Sequence, residues 1–245
     1  PETNPVGPGG IHVDSVVYLT DTNQPRVADD YDLAAIRRDM ALTPPAPPEK
    51  APRKYVKVYL EDAEAALILD RLLTRSLKTR VTKEAGISLK PIPISVGCGN
   101  LMGLMKHDPY FKSVIIAVDA DATVKGNPPN VVKLPGAKDK TGKGKSPEWS
   151  LYTYIKDLVD NPGEHPEAIQ ALAQQTLNTD YLKVHLLDGN VNIEKRESSK
   201  PWMVARRKYI EDWGIVDLWL SENQDLVEKF HNDIVEAAAK TAPLV

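Results

Sequence analysis

The sequence holds a single cysteine, Cys98, in 245 residues. That excludes an intrachain disulfide framework and any cysteine-built zinc cluster, and it fits a reducing compartment. No uninterrupted apolar run approaches the ~18 residues of a membrane span, and no charged n-region followed by an apolar h-region opens the chain. A cytoplasmic location with no membrane contact is the expectation. Positive charge is not in excess either. The 31 Lys and Arg against 34 Asp and Glu give a formal net charge of -3, so any affinity for nucleic acid has to come from local patches. A phosphate-binding loop is missing as well. TGKGKS (141–146) ends like one, but G-x-x-x-x-G-K-[ST] needs a glycine where Asp139 stands and an apolar strand before it. The stretch reads instead as a flexible lysine-rich loop, and the chain carries no ATPase signature. No internal repeat is visible.

What is present suits a globular fold: 42% apolar and 27% charged residues, in a length sufficient for one large domain or two modest ones. Residues 1–10 are rich in Pro and Gly. The chain opens at Pro1 on PETNPVGPGG, without Met, which reads as a boundary inside a longer polypeptide. GIHVDSVVYLT then reads as a strand and DDYDLAAIRRDM as a helix capped by Asp29 or Asp30. LTPPAPPEKAPRK follows as a proline linker. Beyond it strands alternate with helices: strands over 55–60, 90–96 and 113–118, and helices over 62–77, around NLMGLMKH, over 147–159 and in EHPEAIQALAQQTL. This alternation predicts an α/β layer with a largely parallel sheet. The stretch 122–146 reads as one long polar loop, long enough to be functional. Helical periodicity returns in PWMVARRKYIEDWG and NQDLVEKFHNDIVEAAAK, separated by IVDLWLSE. The expected division is an N-terminal arm and linker (1–53), a catalytic domain (54–190) and a helical subdomain (191–245). Trp202, Trp213 and Trp219 recur at core spacing and read as packing residues.

The chemistry is concentrated in SVIIAVDADAT (113–123). An apolar strand ends in Asp119, and Asp121 follows on the same face at strand period. Two carboxylates there repel unless a cation holds them. The D-x-D-x-T pattern resembles the opening motif of haloacid-dehalogenase-like phosphatases, in which Asp119 would be the nucleophile and Asp121 the general acid. That family also needs a later paired acidic motif, and KVHLLDGN (183–190) offers only Asp188. A second arrangement uses the earlier strand. Glu61 closes YVKVYL just before a helix, and ligands gather at the carboxyl ends of strands in an open α/β sheet. Glu61, Asp119 and Asp121 together call for a hard divalent cation, Mg²⁺ or Mn²⁺.

Glu61 after a first strand, the turn VGCGN (96–100) after a second and D-x-D after a third resemble the Toprim pattern. KLPGAKDKTGKGKSPEWSLYTYI is similar to the LPG…SPE segment of the overcoming-lysogenization-defect (OLD) nucleases, and the resemblance spans roughly residues 54–215. It implies a Toprim-like, Rossmann-like fold and a two-metal DNA nuclease site. Asp119 would hold one cation, and Glu61, Asp121, Ser146 and Glu148 would contribute to the pair. The family's second helix acid falls at Ala65, with Glu64 one residue short of it, so Glu64 joins the set by way of one helical turn. A catalytic lysine is implied in the C-terminal helices, where Lys200 and Lys208 are both available. An ATPase domain N-terminal to this region, with possible dimerisation through it, is implied for the longer polypeptide. Two cations about 4 Å apart activate water and stabilise the leaving oxygen. The surrounding Lys138, Lys140, Lys143, Lys145, Arg206 and Arg207 would hold the DNA backbone. A Toprim-like interaction module without turnover is the non-enzymatic alternative.

Overall fold

The computed structural model describes residues 54–187 and 191–241. The strand and helix expected in the first forty residues, the proline linker up to residue 53, and Asp188 lie outside the described residues. Among the described residues four strands, β1 (Tyr55–Leu60), β2 (Ser88–Pro93), β3 (Ile115–Val118) and β4 (Val131–Lys133), form one parallel sheet in the order β2-β1-β3-β4. Among the same residues nine helices accompany it: α1 (Ala63–Leu72), α2 (Arg75–Ala85), α3 (Cys98–His107), α4 (Pro147–Asp160), α5 (Pro166–Gln174), α6 (Thr179–His185), α7 (Arg196–Asp212), α8 (Ile215–Glu222) and α9 (Gln224–Lys240). The fold is α/β and Rossmann-like.

Strand periodicity explains the layering. Val56, Val58 and Leu60 of β1 turn to one face with Ile115 and Ala117 of β3, and there they pack with α1 and α2 through Ile68, Leu72, Leu77 and Val81. Ile116 and Val118 turn to the other face and meet Leu101 of α3 and Phe111. β3 is therefore buried on both sides, which is why it reads as an unbroken apolar run. β2 is an edge strand, and its Pro91 and Pro93 suit a position that needs fewer ladder donors. The connection from β1 to β2 runs over the first face and the one from β2 to β3 over the second. The direction of winding reverses between β1 and β3, which opens a crevice at their carboxyl ends.

Several boundaries differ from the sequence expectation. The helix expected over 62–77 is two helices. Thr74 accepts from the Leu77 N–H at 3.2 Å and caps a second helix. That helix stops at Gly86, whose φ of +68° only glycine adopts freely. The stretch 122–146 is not one loop, since it contains β4, in register with β3 at Ile116↔Val131, and a bridge between Lys138 and Gly144. IVDLWLSE is itself a helix, α8, set off from α7 by Gly214 with φ +64°. Trp202 and Trp219 are core residues, and Trp202 donates to the Leu186 carbonyl at 2.7 Å. Helices α7–α9 share one continuous core with the sheet, and α9 packs against α2 and β4.

One polar clamp ties this packing together. His165, 12% exposed at its side chain, sets Nδ1 2.7 Å from Glu222 on α8 and Nε2 3.0 Å from Asp157 on α4. The Tyr154 ring stands edge-on to it. A carboxylate at each ring nitrogen requires both to carry protons, so the geometry selects imidazolium. Burial alone would lower its pKa, but the bonds to Glu222 and Asp157 outweigh that and raise it. A raised histidine pKa gives stability that is complete below the ordinary value of about 6.5 and is lost as pH rises through the folded value. The Tm advantage of the parent over His165→Gln should therefore be largest near pH 6 and shrink toward pH 9. A difference independent of pH would rule out the charged clamp.

Candidate functional site

Glu61 and Asp119 leave neighbouring parallel strands, β1 and β3, at their carboxyl ends, on either side of the crevice. Both are buried, at 4% and 6% exposure. Glu61 is fixed from two directions. The Cys98 N–H at the start of α3 donates to its Oε2 at 3.3 Å, and the Arg196 guanidinium pairs with its Oε1. The glycine turn after β2 thus presents a helix N-terminus to a carboxylate, a favourable placement for negative charge. The neighbouring Asp62 caps α1 through the Ala65 N–H at 2.9 Å and pairs with Lys200.

The third wall comes from residues 134–148. Leu134 hydrogen-bonds back to Val118 at 2.8 Å, so the chain returns beside the Asp119–Asp121 turn. Gly136 and Gly144 then press against Ala120, the residue between the two aspartates. A Cβ on Gly136 would sit 2.4 Å from the Ala120 Cβ, and one on Gly144 would sit 2.9 Å from the Ala120 carbonyl oxygen. This contact brings Ser146, the N-cap of α4, and Glu148 in its first turn to the cavity. Glu148 is 1% exposed and faces Lys200 of α7 at 3.4 Å.

The resulting cavity, about 430 Å³, is lined by Glu61, Asp119, Asp121, Ser146, Glu148 and Lys200, all six of them singled out in the sequence. Asp121 stands at its exposed rim. Asp119 Oδ1 is fully buried and has no hydrogen-bond partner, and Glu148 Oε1, equally buried, has only the Lys200 ammonium at 3.4 Å. The Asp119 carboxyl is pushed up to about 8 by burial first, then by Glu148, Glu61 and Asp62, with Lys200 pulling the other way. Burial would lower the Lys200 ammonium, but Asp62 and Glu148 hold it above its usual range. Burial first, then Glu61, Asp119 and Asp121, raise the Cys98 thiol, which keeps it protonated and unreactive.

Buried carboxylates facing one cavity, with Asp119 Oδ1 unpartnered, suit a hard divalent cation, and the donor set is all oxygen. Among the described residues no group of three Asp, Glu, His or Cys side chains is already arranged to hold a metal ion. Glu61 turns to Arg196 and Asp62 to Lys200, so these two acids are paired with the protein's own cations.

Other expected residues lie elsewhere. Glu64 is buried on α1 but does not line the cavity, because three residues of helix turn it from the position of Glu61. Lys208 is exposed on α7 away from the cavity, so of the two lysines Lys200 is the one at the site. Arg206 and Arg207 are half-buried on α7, and Arg207 pairs with Glu211. The lysine-rich loop is better ordered than expected. Asp139 accepts from Thr141 and Lys143, and Lys145 is tied to Asp139 at 3.4 Å and Glu194 at 3.0 Å. Lys145 is thus a brace, whereas Lys138, Lys140 and Lys143 keep contact with solvent. Thr123 of the D-x-D-x-T pattern lies outside the cavity. Sequence reasoning missed Asp62, Arg196 and Ser199. Asp62 carried a signal, an acid at an N-cap position beside Glu61. Arg196 carried none, since its partner lies 135 positions away. Comparison of the chain with protein-family models, with curated proteins and with solved structures gives no match.

Proposed function

We propose that the chain is a metal-dependent DNA nuclease of the Toprim type found in OLD nucleases. The observation that carries this reading is the convergence of Glu61, Asp119 and Glu148, from three separate segments, on one cavity, with the buried Asp119 Oδ1 left without a partner. Asp119, Asp121, Glu148 and Glu61, with the Ser146 hydroxyl, would hold a pair of Mg²⁺ or Mn²⁺ ions. Bound there, such ions supply an activated water and neutralise charge on the leaving oxygen.

The chain's own groups do the rest. Asp119 is driven to seek a cation, because three neighbouring acids and burial disfavour its bare charge. Lys200 stays charged beside Glu148 and can offset the charge that gathers on a phosphodiester as it is cleaved. Arg196, largely exposed one helical turn before Lys200, offers a second cation to an incoming phosphate. Lys138, Lys140 and Lys143 are available to the flanking backbone.

Plasmid nicking with Mg²⁺ tests the reading. Glu61→Ala and Asp119→Ala should each lower the rate at least a hundredfold while the far-ultraviolet circular dichroism stays that of the parent. Hydrolysis of phosphomonoesters with no action on DNA would point instead to the phosphatase chemistry of D-x-D-x-T. Absence of both activities would leave an interaction module. Normal nicking by Glu61→Ala would remove the shared site altogether.

A further inference from the structure

The acids of the carboxylate cavity do not hold their cations alike. The Glu61–Arg196 pair sets a side chain 6% exposed against one 64% exposed. Lys200 is only 23% exposed and lies between Asp62 and Glu148, so two acids pin it. Asp119 Oδ1, buried in the same cavity, has no partner among the described residues. Arg196 is also the first residue of α7, where a cation opposes the macrodipole, so the helix gains nothing from its charge. What the guanidinium answers is Glu61. The backbone around it is anchored by other contacts. Glu194 accepts from the Trp149 indole at 2.7 Å and pairs with Lys145 at 3.0 Å, and the Asn192 N–H donates to the Ser198 hydroxyl at 3.0 Å. The Arg196 side chain can therefore swing into solvent while its segment stays in place.

We propose that Arg196 is a placeholder at the Glu61 side of the cavity, yielding Glu61 to a divalent cation when a substrate phosphate draws the guanidinium off. The inference rests on the nuclease reading and adds an order to it. One ion loads from solution at Asp119 and Glu148, and the ion at Glu61 loads with the substrate. Two cations cannot share Glu61 Oε1, so guanidinium and metal compete for it. Arg196 reaches that oxygen end-on through Nη2, whereas a phosphate offers its planar fork two oxygens side by side. Glu61 cannot follow the departing guanidinium, because the Cys98 N–H holds its Oε2 at 3.3 Å. A buried carboxylate left without its cation is costly, and a divalent ion taking that place removes the cost. The reactive pair of ions is thus completed only where there is a phosphate to act on.

The test counts Mn²⁺ bound to the whole chain, by loss of the free ion's paramagnetic resonance signal, with and without a thymidine bisphosphate. That nucleotide carries phosphates but no phosphodiester to cleave. The parent alone should bind one ion tightly and a second weakly. The nucleotide, corrected for the ions it takes itself, should tighten the second about tenfold. Arg196→Gln keeps a donor for Glu61, and its far-ultraviolet circular dichroism should be that of the parent. Without nucleotide it should bind the second ion about tenfold more tightly than the parent does, and the nucleotide should add little. Arg196→Lys keeps the charge but not the fork, so its second ion should stay weak and respond less to the nucleotide. An Arg196→Gln protein that binds Mn²⁺ as the parent does, or more weakly, overturns the proposal. So does a nucleotide that leaves the parent's second ion unmoved. If the parent still binds Mn²⁺ and nicks plasmid in either case, the nuclease reading stands without the placeholder. Mn²⁺ bound by neither parent nor variant would remove both.

Discussion

Asp119→Asn is expected to abolish cleavage and, in EDTA, to make the protein more stable than its parent. The two effects have one cause. Asp119 is held 6% exposed, with Oδ1 unpartnered, among Glu148, Glu61 and Asp62. A negative charge there is costly without a cation, and an amide of the same shape removes it. The sign follows from the carboxyl being pushed up to about 8. Below about pH 4 the folded and unfolded chains both keep the proton and there is no penalty. Between there and about 8 the unfolded chain releases the proton while the folded protein retains it, so parent stability falls with rising pH. Above about 8 both are ionised and the penalty is constant. At about 1.4 kcal/mol per pH unit, the loss from pH 5 to pH 8 is capped near 4 kcal/mol. Half of that is still several degrees of Tm for a domain of this size. The Tm difference, variant minus parent, should therefore widen from pH 5 to pH 8 and then level off. Added Mg²⁺ should raise the Tm of the parent and leave Asp119→Asn unmoved. A variant that is less stable at every pH would show that Asp119 is a structural hydrogen-bonding residue and not a charge kept for a ligand.

Why Asp119 is legible in the sequence, and Arg196 is not, has a physical basis. A buried strand must read as an apolar run, so the carboxylate that ends VIIAV stands out as a candidate site position by local contrast alone. Glu61 is legible by the same contrast after VYL. The parallel α/β layer follows from strands alternating with helices. The split between α1 and α2 is also written in the sequence, in Thr74 at a cap position and Gly86 at a stop, but the leucines of 67–77 hide it. A three-residue strand such as β4 is too short to carry a period, so its pairing with β3 is a tertiary fact. Arg196 and Lys145 act through partners distant in sequence, Glu61 and Glu194, and nothing in their local context distinguishes them from solvated residues. Charge runs mislead for the same reason. Lys145 reads as a mobile phosphate contact, yet Asp139 and Glu194 fix it in place.

The glycines of the 134–146 segment carry the strongest purely geometric prediction. Gly136→Ala changes no carboxylate and no charge, yet it should cost activity about as severely as loss of a ligand. Its Cβ would lie 2.4 Å from both the Ala120 Cβ and the Lys145 carbonyl oxygen. Neither can retreat easily. Ala120 is set between the two aspartates, and the Lys145 backbone is bonded to Ala137 at 2.9 Å while its side chain is held by two acids. The segment must therefore lift away from the D-x-D turn and carry Ser146 and Glu148 with it. Overpacking of this kind costs about 1–3 kcal/mol, and a displacement of about 1 Å in a reacting constellation can cost on the order of a hundredfold in rate. The expected result is a Tm lowered by several degrees and a Mg²⁺-induced Tm rise that is greatly reduced. Gly163→Ala, where an added Cβ meets nothing within 4 Å, serves as the neutral control. Adding Ala120→Gly to Gly136→Ala should restore part of both losses, because it removes one of the two clashes and leaves the Lys145 oxygen. A Gly136→Ala protein that melts, binds Mg²⁺ and nicks plasmid like its parent would mean that the segment yields without moving Glu148. The spacing of LPG before SPE would then have no part in building the site.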